Sequence, residues 1–88
     1  MSQDFLDDPA TLEAIAAVEH GRWAHWQRYL HQQCERRDDG SLVIPAELVQ
    51  RWERLTDTDY DDLSEKERGS DREHAIAYLV ALRTLRDR

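Results

Sequence analysis

The sequence predicts an all-α fold: a small three-helix domain with a long first helix, a short middle helix and a capped last helix. Three observations predict it. Residues 9–36 hold no interior proline or turn cluster, and their apolar side chains recur at alternating steps of three and four. Ser64-Glu65-Lys66-Glu67 reads as a reciprocal cap at a helix start. The one β-branched run, Leu42-Val43-Ile44, is too short to make a sheet alone.

Residues 1–8 read as a short acidic N-terminal arm, and 9–88 as a single helical domain. Asp8 is suited to accept the orphan N–H groups of a helix start, and Pro9 fits the first helical position, where no N–H is needed. The stripe of this first helix runs through Leu12, Ile15, Ala16, Glu19, Trp23, Trp26, Leu30 and Cys34, apolar except at Glu19. Asp38-Asp39-Gly40-Ser41 is a turn. Pro45 then opens a second helix whose buried face is Ala46, Leu48, Val49, Trp52 and Leu55. The aspartate-rich segment 57–62 ends it. After the Ser64 cap the third helix shows an apolar face of Ala75, Ile76, Leu79, Leu82 and Leu85.

Composition narrows the function. Twelve Lys and Arg stand against 19 Asp and Glu, a net charge of −7. An acidic chain repels a phosphate backbone, so direct nucleic-acid binding is not expected. No run approaches the roughly 18 apolar residues of a membrane span. The single cysteine rules out an internal disulfide and a Cys-rich zinc site. The residues after Met1 are polar, so no signal peptide is expected, and a cytoplasmic location is.

No arrangement selects an enzyme. Asp57, Asp59 and Asp61 copy the first positions of an EF-hand loop, but its sixth place is Asp62 rather than glycine and its twelfth is Arg68 rather than glutamate. His20, His25 and His31 are spaced by five and six, which does not set neighbouring imidazoles together on one helical face as i, i+4 would. No metal or other cofactor is expected. Cys34 lies on the apolar stripe and reads as packing rather than as a nucleophile.

The aromatic and arginine residues are more informative. Gly21 lies mid-helix, where it costs about 1 kcal/mol relative to alanine, which raises the question of a close approach to the backbone. Gly69 raises it again. Trp23 and Trp26 read either as core or as pocket aromatics. Arg68 and Arg72 read either as partners of Glu65, Glu67 or Asp71, or as phosphate holders. The sharper reading sets His20 and Trp23 opposite Tyr60, Arg68 and Arg72 around one ligand pocket, with aromatic faces for a base and arginine forks for phosphate.

Leu63-Ser64-Glu65-x-Glu67-Arg68-x-x-Asp71-Arg72, with Tyr60 three residues before it, resembles the hallmark segment of the ryanodine-receptor repeat (RyR) domain. His20-Gly21-Arg22-Trp23 is similar to the His-x-x-Trp pair of that family's first helix. The Trp-Ala-His-Trp and Ser-Asp-Arg patches are also similar to those of small phage and prophage proteins. The resemblance covers 15–26 and 60–82. It departs at Arg68, a lysine in the family, and in the middle, where Val43-Ile44-Pro45 and an added amphipathic helix replace the family's usual segment. It implies a non-enzymatic module for a nucleotide-derived ligand, such as a phage sponge or sensor in host defence. The alternative is an acidic inhibitor that occupies the basic groove of a host protein complex.

A homodimer is expected as well. The first helix would be about 40 Å long, against a radius of gyration near 12 Å for a compact chain of this length. Its ends, with Leu12 and Ile15 or Leu30 and Cys34, would then need a partner to cover them. A break near Gly21 is the alternative.

Overall fold

The computed structural model describes residues 5–88. Its described part is all-α apart from one small hairpin. The elements in order are a 3-10 turn (Phe5–Asp7), α1 (Pro9–Gln33), β1 (Glu35–Arg36), β2 (Leu42–Val43), α2 (Ala46–Thr56), a second 3-10 turn (Tyr60–Asp62) and α3 (Glu65–Arg86).

The first helix starts as expected. Asp8 is its N-cap, its carboxylate accepting from the Ala10 N–H at 2.9 Å, and Pro9 follows. The second half of the expected arm has a defined conformation. Phe5–Asp7 is a helical turn, and its Phe5 carbonyl accepts from both the Asp8 N–H and the Thr11 hydroxyl. That seals Thr11, which is 5% exposed. Residues 1–4 of the expected arm lie outside the described residues. There is no break at Gly21: α1 continues to Gln33, about 37 Å by its rise per residue.

Helix one ends about three residues sooner than expected. Cys34 is its C-cap with extended backbone, and Glu35–Arg36 turn into a strand. These two residues are the partner that Leu42-Val43 lacked in sequence: Glu35 pairs with Val43 and Arg36 with Leu42, antiparallel. Gly40, with φ of 90°, supplies the left-handed residue that closes the loop. Asp39 fastens the loop by accepting from the Ser41 hydroxyl at 2.6 Å and the Ser41 N–H at 2.9 Å.

Pro45 is the N-cap of α2 rather than its first residue, so the helix begins one residue later than expected, and the Pro45 carbonyl accepts from the Leu48 and Val49 N–H groups. The face of α2 is as expected for Leu48, which is buried, and for Val49, Trp52 and Leu55, which are half-buried; Ala46 is exposed.

The third helix opens on both halves of its capping box. The Glu67 N–H donates to the Ser64 hydroxyl at 3.1 Å, and the Ser64 N–H donates to Glu67 at 3.0 Å. Ser64→Ala should lower stability by about 1 kcal/mol. That is a drop of roughly 4–8 °C in a thermal melt for a domain of this size, and an unchanged melt would refute the cap's contribution.

The expected apolar stripes face differently from what their periodicity implied. On α1, Ile15, Val18, Arg22 and Leu30 are half-buried, as is Cys34 at its C-cap, while Leu12 and Trp23 are 69% and 57% exposed. Trp26 is also exposed, so neither Trp23 nor Trp26 is core. On α3, Tyr78, Ala81, Leu82 and Leu85 are the half-buried set, and Ala75, Ile76 and Leu79 are exposed.

The reason is length. The eleven residues of α2 span about 16 Å. It reaches α1 where the Trp52 ring meets Trp26 edge-on, centroids 5.4 Å apart. Farther toward the start of α1 the side chains of Leu12 and Trp23 stay uncovered. The molecule measures 56 × 35 × 16 Å, with a radius of gyration of 17.5 Å. Its thin dimension is little more than the 10–12 Å diameter of one helix. Among the described residues no second layer lies on the first, and Leu48 is the only buried apolar side chain.

Candidate functional site

Two helices, α1 and α3, meet along their middles and leave a cleft of about 510 Å³ between them. Gly21, Arg22, His25 and Trp26 line it from α1, and Glu73 and His74 from α3, with Val18 and Ala77 as apolar walls. A cleft in the 300–1,000 Å³ range, mostly apolar with a few convergent polar groups, is the usual form of a small-molecule site.

One polar bridge holds the cleft at its side. The Tyr78 hydroxyl donates to the Glu19 carboxylate. Arg22 Nη1 donates to the same hydroxyl at 3.2 Å, and its guanidinium carbon lies 5.7 Å from the centre of the Tyr78 ring. This explains the one charged residue in the predicted stripe: Glu19 terminates a chain that crosses from α1 to α3. Arg22 Nε is buried without a hydrogen-bond partner, an unsatisfied donor beside the cleft.

Gly21 contributes open space. A Cβ built on it meets nothing within 4 Å. The close approach that its position raised is therefore absent here, and its missing side chain enlarges the cleft instead. At Gly69 a Cβ meets only Arg72 Nη2, at 3.7 Å, ordinary van der Waals contact.

The five sequence-derived site residues fall into two groups. His20 and Trp23 stack on one another on α1, centroids 5.9 Å apart and planes 29° from parallel, both exposed. Tyr60, Arg68 and Arg72 gather around Glu65 at the start of α3. Arg72 pairs with the Glu65 carboxylate, and Arg68 Nη2 donates to it at 3.4 Å. Arg68 Nη1 also donates to the Asp61 carbonyl at 3.4 Å. Glu65, and after it the Tyr60 hydroxyl, hold the Arg72 guanidinium above its ordinary pKa. Both arginines are thus committed to a carboxylate. None of the five lines any of the three clefts described among residues 5–88. The single pocket expected from His20, Trp23, Tyr60, Arg68 and Arg72 is not assembled.

Sequence reasoning passed over Arg22, His25, Glu73 and His74 as members of one site. His25 and His74 are brought to the same cleft from different helices, so spacing along one helix carried no signal of it. The available signal was composition: a polar and aromatic run, His20 to Trp26, on a helix that needed an apolar face there. Among the described residues no group of three or more His, Cys, Asp or Glu is placed to hold a metal.

The acidic edge lies elsewhere. Asp57, Asp59, Asp61, Asp62 and Asp71 are exposed along the turn before α3 and its first turns. Glu67 is the exception, half-buried between the cap and Arg54, whose Nη2 is 2.5 Å from its carboxylate. The Ser64 N–H and then Arg54 hold the Glu67 carboxyl below the ordinary glutamate pKa. A lowered pKa in the folded state adds stability above the ordinary range, and that contribution is lost as pH falls through the lowered value. Acid titration followed by circular dichroism should therefore show stability falling below the ordinary glutamate range. Glu67→Gln should flatten that limb, and an unaltered limb would assign the acid sensitivity to other carboxylates.

Among the described residues no helix is long and apolar enough to cross a membrane. No family model matches the chain, and comparison with curated proteins and with solved structures returns no match.

Proposed function

We propose that this protein is a non-enzymatic binding module for a nucleotide-derived small ligand, and that the ligand sits in the cleft between α1 and α3. The observation that carries the reading is the lining of that cleft. Trp26 offers an aromatic face to a base, Arg22, His25 and His74 offer donors to phosphate oxygens, and Glu73 offers an acceptor to ribose hydroxyls. Binding alone suffices for a sponge or sensor of such a signal in the cytoplasm, the use that the resemblance to the RyR repeat domain implies. The reading no longer rests on Arg68 and Arg72, which Glu65 engages.

Calorimetric titration with a panel of cyclic dinucleotides and ADP-ribose-type nucleotides tests it. At least one ligand should bind with micromolar affinity or better. Gly21→Leu, which fills the cleft, and His74→Ala should each weaken binding by tenfold or more, while Arg72→Ala leaves it within a factor of two. Absence of binding across the panel, or loss through Arg72→Ala alone, overturns the reading.

The exposed aspartates favour a second reading, an acidic inhibitor that docks on a basic groove of a host nucleic-acid-binding complex. Replacing Asp59 and Asp61 together by lysine should abolish such inhibition and leave nucleotide titrations unchanged.

A further inference from the structure

We propose that the outer face of α3 is a self-association surface, at which a second copy of this chain packs its own α3 antiparallel about a two-fold axis. The side chains that α3 turns toward α1 and the rest of the fold are Tyr78, Ala81, Leu82 and Leu85. Around the opposite side of the same helix lie Ile76, Leu79 and Val80, which are 52%, 45% and 52% exposed. At 100° per residue these three fall within one narrow arc, one turn of helix in length. A surface helix ordinarily has one apolar face and one polar face. This one is apolar on both, over the turn where both sets occur.

Area argues for a partner of this chain's own size. A compact chain of this mass exposes about 5,400 Å², whereas this one exposes 7067 Å². The surplus, roughly 1,700 Å², is twice the approximately 800 Å² that each partner contributes to a standard interface. The thin slab supplies that surface because none of the described residues folds over it.

Charge argues for a second copy in one orientation. Glu73, which borders the α1–α3 cleft as well, and Arg83 flank the patch and are exposed, each five residues from Tyr78. An antiparallel pair centred there sets Ile76 against Val80 of the partner subunit and Arg83 against Glu73 of the partner subunit, twice by symmetry. A parallel pair would set Arg83 against its own copy, which is unfavourable. The face is therefore complementary to itself. This differs from the dimer expected from sequence, which used Leu12, Ile15, Leu30 and Cys34 at the ends of the first helix: the last three are half-buried within the chain, and Leu12 alone is exposed.

Sedimentation equilibrium of the full chain from 1 to about 200 µM tests the proposal. The expected mass rises to twice 10.4 kDa within that range. Val80→Glu should shift the midpoint concentration upward by tenfold or more with helical circular dichroism retained, whereas Leu12→Glu, on the exposed stripe of α1, leaves it unchanged. A charge-swap series distinguishes lost folding from lost pairing: Glu73→Arg and Arg83→Glu each weaken the dimer, and the double variant restores it. A mass of 10.4 kDa throughout would assign this face to a different partner and overturn the proposal. So would a dimer insensitive to Val80→Glu, or a double variant no better than the single ones.

Discussion

Leu48→Ala lowers the stability of this fold by about 2–4 kcal/mol, the cost of a buried leucine replaced by alanine with a cavity left behind. The effect is large because so little else is buried. Leu48 is 8% exposed, and no described side chain falls below 2%. At about 0.05–0.15 kcal/mol per residue, a chain of this size has roughly 4–13 kcal/mol in total. One methylene cluster on α2 therefore accounts for a large share of it. Val49, Trp52 and Leu55 lie on the same face, so the loss should release α2 from α1, including the Trp26–Trp52 edge contact. Urea unfolding followed by tryptophan fluorescence measures it. The midpoint should fall by a quarter or more, and a shift under a tenth would mean that Leu48 packs too loosely to organise α2.

Tyr78→Phe separates α1 from α3 more selectively. It removes a single hydroxyl, which accepts from Arg22 and donates to Glu19. Glu19 is exposed, so water replaces its lost donor. Arg22 is half-buried, with Nε already unpartnered, so losing the Nη1 acceptor leaves a second donor unsatisfied. The cost is about 1–3 kcal/mol, since hydrogen bonds to charged groups exceed the neutral average. Glu19→Gln, which keeps an acceptor for the hydroxyl, should cost less than half as much. Paired thermal melts check this, and equal losses in the two variants would show that the bridge contributes through charge rather than through the hydroxyl. The same hydroxyl holds Arg22, which lines the cleft, so Tyr78→Phe should also loosen any ligand bound against Arg22.

Local features were legible in the sequence because their causes are local. Asp8-Pro9, Ser64 with Glu67, Pro45 and Gly40 each act within a few residues, through hydrogen bonds or allowed backbone angles that neighbours along the chain fully specify. The three helices and the buried face of α2 follow from those signals and from periodicity. The strand character of Glu35–Arg36 was not legible, since it exists only as the complement of Leu42–Val43.

Tertiary structure alone decided which faces are covered. Helix α1 carries apolar side chains around much of its circumference, so the predicted stripe through Leu12, Ile15 and Trp23 competes with a rotated one through Ile15 and Val18. The short α2 and the position of α3 chose the second set. Helix α3 likewise has apolar residues on two faces, and only its packing against α1 shows that Ile76, Leu79 and Val80 are the set left outside. The candidate site followed the same logic. Arg68 and Arg72 stand near several carboxylates in sequence, and the first turns of α3 gave both to Glu65. His25 and His74 have no sequence relation at all, and two packed helices brought them to one cleft. Sequence by itself determined where each helix begins, to within one residue, because caps and turns are short-range, whereas the end of α1 was set by the pairing of Glu35–Arg36 with Leu42–Val43. Which surfaces meet is a competition among apolar faces for too few partners, and only the assembled fold resolves it.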